Sequence, residues 1–407
     1  MSEQDSSKNP VFDYVNLIEP VQGSPDAIIE HFSEDDIQIT FPPQIYDREK
    51  LKAQSEVSGP GPWDDVLKEE GFDPDLFEVI EPIQWSAWDG AGDTRKMSVK
   101  LQLRSKKLTD DFDLDKLYKE LRKKKPVKPK IVEGDDALLV CIADTQMGKA
   151  DGEGVKGAIE RLIKLEWQVR DRVETLRKAG KPVKRLVVAF MGDLIEGCDG
   201  HYAMQTFTAE LNLRNQVKTM RRIGINLLDS WLDLAEQITV LAVPGNHGEN
   251  RKNGKAYTDF GDNFDVSIVE EIADGFKLNP ERYGHVEFVI PDSDLTITTK
   301  IAGKGITFAH GHQFRTSGGS SVAQKAWGWW KDQAFCYRPA LLSSILISAH
   351  YHHWSSQSRT EGRWWFQCPA IEDKSQWFEE EHGENAAAGV LTMRITENGP
   401  EDIHIIT

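Results

Sequence analysis

The arrangement of apolar and polar positions changes at about residue 135. From there, continuous apolar runs at 137–142, 186–190 and 238–243 alternate with helical patterns. Strands that are apolar at every position are buried on both faces, as in a parallel sheet covered by helices. The intervening stretches, roughly 155–179 and 208–235, have the periodicity of amphipathic helices. The pattern therefore predicts an α/β fold that begins as βαβαβ.

Three further apolar runs lie nearer the C-terminus, at 306–309, 345–348 and 364–366. They are short and separated by polar loops, which favours antiparallel pairing. Together with the earlier runs they predict one large α/β domain over residues 135–407.

The chain before this domain has a different character. Residues 1–60 combine acidic side chains, several prolines and few apolar runs, which predicts a largely disordered or loosely docked tail. Residues 61–105 contain a short helix and two strand-like runs, at 76–88 and 96–103, around a glycine-rich turn. So small an α+β module has little stability alone, and we expect it to dock on the main domain or on a protein partner.

Residues 106–134 are predicted to form a helix, over 108–125, and a basic linker. The ten residues 121–130 include six Lys and Arg side chains, interrupted by prolines. Charged runs of this kind are usually solvated, so we favour a linker over a nucleic-acid contact and leave both open.

Composition narrows the class of protein without identifying it. The chain is 39% hydrophobic and 28% charged, which is ordinary for a globular protein, and its net charge of -17 excludes a general polyanion-coating role. A nucleic-acid substrate stays possible if metal ions and a local basic patch offset the repulsion. The four cysteines are scattered, no apolar run is long enough to span a membrane, and the polar start lacks the order of a signal peptide. We expect a cytoplasmic protein with no membrane contact.

Polar side chains directly follow five of the apolar runs. They are Asp144 and Gln146, Asp193, Asn246 and His247, His310 and His312, and His350, His352 and His353. Ligands of open α/β sheets bind beyond the carboxyl ends of the strands, so these side chains are predicted to meet at one edge. Singly, each has an ordinary explanation as a helix cap, a turn residue or a core histidine. Together they predict a site with the donor groups that a pair of metal ions needs.

The order of these residues resembles the calcineurin-like metallophosphoesterase superfamily over about 135–395. That pattern is DxH, GD, GNH, a single His and GHxH. It reads here as Asp144-Thr145-Gln146, Gly192-Asp193, Gly245-Asn246-His247, His310 and Ala349-His350-Tyr351-His352. The resemblance implies a four-layer α/β/β/α sandwich with a small N-terminal α+β extension. The sequences of the GDLIEG and HGH segments are also similar to those of phage-encoded, SbcD-like nuclease members.

Three residues depart from the superfamily pattern. Gln146 stands where a His ligand is usual, and an amide oxygen binds metal more weakly than an imidazole. Gly248 stands where Asp or Glu is usual, with Glu249 displaced by one position. Ala349 replaces the glycine of the last motif.

The resemblance implies which residues hold the metals. Asp193 would bridge two divalent ions, most readily Mn²⁺, with Fe²⁺ or Zn²⁺ as alternatives. One ion would also take Asp144, His352 and Gln146. The other would also take Asn246, His310 and His350.

The resemblance also leaves His247 free of the metals, to contact the phosphate or protonate the leaving oxygen. His201, His312 and Arg214 are candidates for substrate binding, while His312 and His353 are each more readily explained as supporting or surface groups.

Three functions remain open at this stage. The leading hypothesis is a metal-dependent phosphodiesterase acting on DNA or RNA, in the host cytoplasm if the chain is phage-encoded. The second is a phosphomonoesterase for small molecules or phosphoproteins, which the acidic net charge favours. The third is a degenerate, non-catalytic binding member of the fold, motivated by Gln146 and Gly248. In each case the N-terminal module is a candidate for recruiting a protein partner.

Overall fold

A computed structural model describes most of the second half of the chain and parts of the first. The described residues are 28–31, 36–47, 67, 77–89, 94–105, 114–201, 205, 209–252, 254–314, 320–360, 362–372 and 387–407. They form two compact units, Met1–Asp113 and Leu114–Thr407. Among these residues, no helix has the length and apolar character needed to cross a membrane.

The first unit contains a four-stranded antiparallel sheet. Its strands are β1 (Ile28–His31), β2 (Asp36–Asp47), β3 (Phe77–Asp89) and β4 (Thr94–Ser105), in the order β1-β2-β4-β3. The bounds of β3 and β4 differ by one or two residues from those of the two strand-like runs predicted for the α+β module. The helix predicted before them lies almost wholly outside the described residues.

Strands β1 and β2 lie where the sequence predicted a loosely organised tail. The segment from Ile37 to Phe41 alternates apolar and polar residues, which is a strand pattern. The prolines at 42 and 43 obscured it, because proline removes a ladder hydrogen bond. The strand accommodates them at an irregularity in its pairing with β4, between Phe41 and Gln44.

The second unit contains helices on two sheets and a small hairpin. Its helices are α1 (Leu114–Lys123), α2 (Gly154–Lys178), α3 (Leu213–Ser230), α4 (Phe264–Lys277), α5 (Pro280–Tyr283) and α6 (Val322–Phe335), with a 3₁₀ turn at Pro339–Leu342. Its strands are β5 (Ala137–Ile142), β6 (Arg185–Phe190), β7 (Gln237–Ala242), β8 (Arg251–Lys252), β9 (Lys255–Ala256), β10 (Val286–Val289), β11 (Thr296–Ile301), β12 (Lys304–Ala309), β13 (Ile345–Ser348), β14 (Ser355–Thr360), β15 (Arg363–Gln367), β16 (Val390–Thr396) and β17 (Gly399–Ile406). The α/β class predicted from the sequence is confirmed.

The six-stranded sheet has the order β10-β7-β6-β5-β16-β17. Strands β5, β6, β7 and β10 pair in parallel, while β16 and β17 are antiparallel. Every residue of β5 is buried, as its continuous apolar sequence predicted. The parallel pairing brings the carboxyl ends of β5, β6 and β7 to the same edge.

The five-stranded sheet has the order β11-β12-β13-β15-β14. Its three central strands, β12, β13 and β15, pair in parallel, and the prediction of antiparallel pairing for these runs is wrong. All of β13 is buried, and a strand covered on both faces suits parallel pairing. As a result β12 and β13 also end at a common edge.

The two sheets pack face to face through alternate residues of their strands. Leu139 and Cys141 of β5 contact a cluster that includes Phe308 and Ile347 of the second sheet. Leu138, Val140 and Ile142 of β5 pack in a cluster with helices α2, α3 and α4. The outer face of the second sheet is covered by α6, through Trp327 and Trp330. Helices, sheet, sheet and helix thus follow one another across the unit.

Helix α1 and the start of the basic segment belong to this second unit. The side-chain amide of Asn279 donates to the carbonyls of Leu121 and Lys124, each at 2.9 Å. The Lys124 ammonium also donates to Asp229 of α3 at 2.9 Å. At this end, the basic segment is bound to the fold rather than free.

Candidate metal centre

The five predicted strand-end segments meet at one edge of the second unit. Five of the eight non-glycine residues with positive φ in the described part of the chain belong to these segments: Asp144, Gln146, Asp193, His350 and His352. Residues other than glycine adopt positive φ rarely, and such strain concentrates at functional sites. The backbone is therefore held in an uncommon shape where the sequence places its candidate ligands.

Asp193 lies at the middle of the cluster and is buried. Its Oδ1 accepts a hydrogen bond from the backbone N–H of His247 at 2.7 Å, and its Oδ2 lies 3.0 Å from Nε2 of His310. Burial alone would raise the pKa of Asp193, but positive charge on His310 and His247 holds it well below its usual value. Asp193 is therefore ionised and available to a cation.

His310 directs its ring at the carboxylates from the opposite sheet. Its Nδ1 lies 2.7 Å from the carbonyl oxygen of Met191, so this nitrogen carries a proton. In the neutral ring the lone pair on Nε2 then faces Oδ2 of Asp193 and, at 3.8 Å, Oδ1 of Asp144. Without a metal only a second proton relieves this repulsion, and although burial opposes it, the charge of Asp193 raises the pKa of His310 to about 9.

Among the described residues, one group of histidine and carboxylate atoms is close enough to hold a metal ion. Asp193, His310 and His350 each offer an atom within 4.8 Å of the others. Burial, with positive charge on His310, lowers the pKa of His350 to about 3, so this imidazole is neutral and able to coordinate. Of the residues predicted for this half of the site, the fourth is Asn246, whose Oδ1 is buried.

The other half of the site is built around Asp144. Its Oδ2 accepts from the backbone N–H of His350 at 3.1 Å, and its Oδ1 lies 3.4 Å from Nε2 of His352. Glu372 approaches the other ring nitrogen of His352, with Oε1 2.6 Å from Nδ1. A carboxylate in this position fixes the tautomer and orientation of a metal-binding histidine.

Gln146 is next to Asp144, but its oxygen already has a partner. Oε1 of Gln146 accepts from the Lys149 ammonium at 3.1 Å, and Lys149 also forms an ion pair with Glu372. A cation would have to compete with this ammonium for the amide oxygen. The half of the site that contains Gln146 is thus less open to metal than the half that contains His310 and His350.

His247 is positioned beside the candidate ligands and held from behind. Its Nδ1 lies 2.8 Å from the carbonyl oxygen of Glu196 and 3.3 Å from the carboxylate of the same residue. Its Nε2 is 3.5 Å from the Gln146 amide nitrogen. Burial lowers the proton affinity of this ring, but Asp193 and Glu196 raise the pKa of His247 to about 9. In the protein without metal, the ring is therefore doubly protonated at neutral pH.

Three of the candidate ligand atoms are buried and make no hydrogen bond of good geometry among the described residues: Asp144 Oδ1, Asn246 Oδ1 and His310 Nε2, the last of which lies 3.0 Å from Asp193 Oδ2. Buried polar atoms are nearly always satisfied, and these three are carboxylate, amide and imidazole donors of the kinds that bind Mn²⁺, Fe²⁺ or Zn²⁺. The residues present therefore fit a divalent metal centre.

Two of the three candidates for substrate binding lie next to histidines of the cluster, and the third does not. His201 stacks on His247 with ring centroids 4.2 Å apart, and the ring of His312 lies 5.5 Å from that of His310. Arg214 is exposed near the start of α3, with no contact to the cluster among the described residues. Two other basic residues of α3, Arg221 and Arg222, pair with glutamates rather than forming a free basic face.

The departure at Gly248 has a packing reason. A Cβ at this position would lie 2.4 Å from Oδ1 of Asn263 and 2.9 Å from Asp265, so a side chain does not fit. Glu249 turns to Arg251 at 2.8 Å and towards His312 at 3.7 Å.

Asp265, at the start of α4, supports the site and was not predicted. Its Oδ2 accepts from the backbone N–H groups of Asp193 and Gly245, and its Oδ1 accepts from that of Leu194, all at 2.9 Å. Burial and the charge of Asp193 raise the pKa of Asp265 to about 6. This one carboxylate ties together the loops that follow β6 and β7.

Comparison with known proteins gives a family match and weaker structural similarities. The sequence pattern of calcineurin-like phosphoesterases matches residues 137–386, well over half of the chain. No curated protein sequence matches it.

Several solved structures match the chain at low sequence identity and low TM-score. A predicted phosphoesterase from Streptococcus pneumoniae is 15% identical over 64% of this chain and 82% of its own, with a TM-score of 0.25. Zinc-bound Vps29 from Entamoeba histolytica is 12% identical over 66% and 98%, with a TM-score of 0.26. A dimetal phosphatase from Danio rerio is 14% identical over 66% and 98%, with a TM-score of 0.33. Similarities this distant carry no argument about function.

Proposed function

This chain belongs to the calcineurin-like phosphoesterase family, and from that premise we propose that it is a metal-dependent phosphodiesterase that cleaves nucleic acid. Family membership makes it a hydrolase of phosphoric esters. The observation that carries the metal requirement is the convergence of Asp193, His310 and His350 on one point, beside buried oxygens without hydrogen bonds. The choice of a diester in DNA or RNA is the further step.

The proposed metal centre has two unequal halves that share Asp193. Asn246, His310 and His350 complete the first half. Asp144 and His352 form the second, with Gln146 as its weakest member because Lys149 competes for it. Divalent ions bound here, Mn²⁺ in our proposal, supply a nucleophile at neutral pH and neutralise charge on the phosphoryl oxygens.

The protein itself supplies the proton for the leaving group. His247 is fixed through Nδ1 by Glu196, which leaves Nε2 directed towards the cluster. A general acid must carry a proton on Nε2, and the Glu196 carboxylate beside Nδ1 stabilises the doubly protonated ring that provides it. His201 stacks against this ring and limits its rotation.

The nuclease proposal draws on the GDLIEG and HGH segments, which are similar to those of phage-encoded, SbcD-like nucleases. In keeping with it, we propose that the protein acts in the cytoplasm, that of the host if the chain is phage-encoded, and that the N-terminal unit recruits a protein partner. The net charge of -17 favours the alternative, a phosphomonoesterase.

Substrate comparison tests the proposal. Chelated protein reloaded with Mn²⁺ is assayed on bis(p-nitrophenyl) phosphate, on p-nitrophenyl phosphate and on labelled DNA and RNA oligonucleotides. We expect the diester and at least one nucleic acid to be cleaved, and Asp193→Asn to cleave neither. Hydrolysis of the monoester alone would support the phosphomonoesterase, and hydrolysis of nothing would support a binding role for the fold.

A further inference from the structure

A short basic hairpin follows the His247 loop directly. Its strands β8 and β9 pair so that Lys252 lies opposite Lys255. The N–H of Tyr257 donates to the carbonyl of Asn250 at 3.3 Å, which extends the ladder by one pair. Directly opposed residues share a face of a hairpin, and faces alternate along each strand. Lys252, Lys255 and Tyr257 therefore project from the same face.

The pairing of the two lysines is unfavourable in the protein alone. Both are exposed, and like charges at directly opposed strand positions destabilise the pair. An isolated two-stranded hairpin is also marginally stable in water. A phosphate group between the two ammonium groups would turn this repulsion into attraction.

The hairpin contacts Gly200, whose neighbour in the chain stacks on the candidate general acid. A Cβ at Gly200 would come within 2.8 Å of Cβ of Arg251, at the base of the hairpin. The next residue, His201, stacks on His247 at 4.2 Å between ring centroids. Because faces alternate along a strand, Arg251 projects from the face opposite the lysines, and the lysine face lies on the side of the hairpin away from Gly200. A strand of substrate would therefore reach the lysines on the outer side of the hairpin, after it has left the metal centre.

Two exposed aromatic side chains nearby fit the same ligand, and two nearby carboxylates are already bonded to other groups. Tyr257 is 64% exposed and Phe260 is 50% exposed, which gives two aromatic rings available to unpaired bases. Of the acids, Glu249 is paired with Arg251. The Asp259 carboxylate accepts from the backbone N–H groups of two following residues at 2.9 and 3.1 Å.

We infer that the Lys252–Lys255–Tyr257 face binds single-stranded nucleic acid. The two lysines contact successive backbone phosphates, and Tyr257 stacks on an exposed base. Base stacking on an aromatic side chain tolerates every sequence, so the surface selects a single strand rather than a particular sequence. This inference rests on the proposed function and names the substrate class of the same site.

Binding to oligonucleotides tests the inference independently of catalysis. Fluorescence anisotropy with labelled 20-nucleotide deoxythymidine and uridine strands, in Ca²⁺, compares the full chain with Lys252→Gln/Lys255→Gln and with Tyr257→Ala. The matched control is Lys300→Gln/Lys304→Gln on the β11–β12 hairpin. This control changes the net charge by the same amount. Lys304 is the first residue of β12, six residues before His310, which places it roughly 20 Å from that histidine along the strand.

We expect the lysine variant to bind at least tenfold more weakly. The slope of log K against log salt should fall by about 1.4, the value for two lost phosphate contacts on a single strand. Tyr257→Ala should weaken binding by about fivefold or more with the salt slope unchanged. The ratio of oligonucleotide cleavage to bis(p-nitrophenyl) phosphate cleavage should fall in both, and the control should match the wild type.

Each of the remaining outcomes would overturn either the inference or the proposed function. Equal losses in the hairpin and control variants, or unchanged binding in the hairpin variants, would overturn the inference while leaving the proposed function intact if the small diester is still cleaved. Wild-type protein that binds neither strand would also overturn it. Failure to cleave any diester, with strand binding through the hairpin preserved, would remove the proposed function and leave the binding surface.

Discussion

At the scale of single residues, His247 is proposed to act in the chemical step without binding a metal ion. Its ring contacts Glu196 and faces Gln146, but the centre proposed here does not use it as a ligand. We predict that His247→Ala lowers kcat on bis(p-nitrophenyl) phosphate by about 100- to 10,000-fold, the usual contribution of a positioned general acid. Mn²⁺ content should stay as in the wild type.

Metal analysis and steady-state kinetics check this prediction together. His404→Ala is the control, because that histidine is exposed on β17. A His247→Ala protein that loses its metal along with its activity would make His247 a ligand instead.

Gln146 sets the difference between the two halves of the centre. Its amide oxygen is a weaker ligand than imidazole and is already bonded to Lys149 at 3.1 Å. Gln146→His should therefore tighten the weaker of two Mn²⁺ binding events by about tenfold or more in calorimetric titration. Gln146→Leu should weaken the same event, and identical titrations for both variants and the wild type would show that position 146 does not contact metal.

The residues of the cluster differ in how readily the sequence identifies them as part of the site. Asp144, Asp193 and His310 follow apolar runs immediately, and chain direction alone places them at a sheet edge. Glu372 also reaches the cluster, but it lies in a loop with no periodic pattern before it. Lys149 is a charged residue that sequence reasoning assigns to the surface. Its contact with Glu372 depends on a pairing 223 residues apart, which no local signal encodes.

At the scale of elements, the first turn of α4 holds the site loops through Asp265. Replacing its carboxylate by an amide puts a donor opposite backbone N–H groups and leaves buried donors unsatisfied. We predict that Asp265→Asn lowers the free energy of unfolding by about 2–4 kcal/mol. Urea unfolding measures this, with Asp274→Asn on the same helix as an exposed control.

The same variant should also bind Mn²⁺ more weakly, because the loops that carry Asp193 and Gly245 lose their common anchor. A stable Asp265→Asn protein with wild-type metal affinity would show that the loops hold their shape without it.

Asp229, in α3, bonds to α5 and to Lys124, the residue that follows α1. It accepts from Lys124 at 2.9 Å, from Arg282 at 2.9 and 3.0 Å, and from the Tyr283 hydroxyl at 2.7 Å. Burial alone would raise the pKa of Asp229, but these bonds outweigh it and hold the pKa below its usual value. Asp229→Asn should therefore cost about 1–3 kcal/mol of stability at pH 7.

The pH dependence of that loss has a defined sign. Because the folded pKa is lowered, the contribution is present above the unfolded pKa of about 3.9 and disappears as the pH falls through the folded value. The stability difference between wild type and Asp229→Asn should shrink below about pH 4. A constant difference from pH 7 to pH 3 would show that charge on Asp229 does not matter.

Some helices and strands could be predicted from the sequence more readily than others, for physical reasons. Helices α2 and α3 and strands β5 to β7 have long periodic or continuous apolar patterns, which fix their type. The direction of pairing among β12, β13 and β15 was not readable, because a short buried strand looks the same in parallel and antiparallel sheets. β2 was missed because Pro42 and Pro43 interrupt its alternation.

At the scale of the whole molecule, the centre depends on both sheets of the second unit. Asp144, Asp193 and Asn246 come from the six-stranded sheet, while His310 and His350 come from the five-stranded sheet. The apolar cluster between the sheets fixes their distance. A metal ion bound here joins the two sheets and stabilises the folded state according to its affinity.

The central claim is that this edge of the two sheets binds catalytic metal ions. It is tested most directly by titrating the chelated chain with Mn²⁺ while following metal bound per chain and hydrolysis of bis(p-nitrophenyl) phosphate in the same samples. We predict two binding events of unequal affinity in the wild type, hydrolysis that rises with occupancy, and loss of both binding and hydrolysis in Asp193→Asn. Wild-type protein that binds no divalent metal, or an Asp193→Asn protein that keeps metal and activity, would contradict the account.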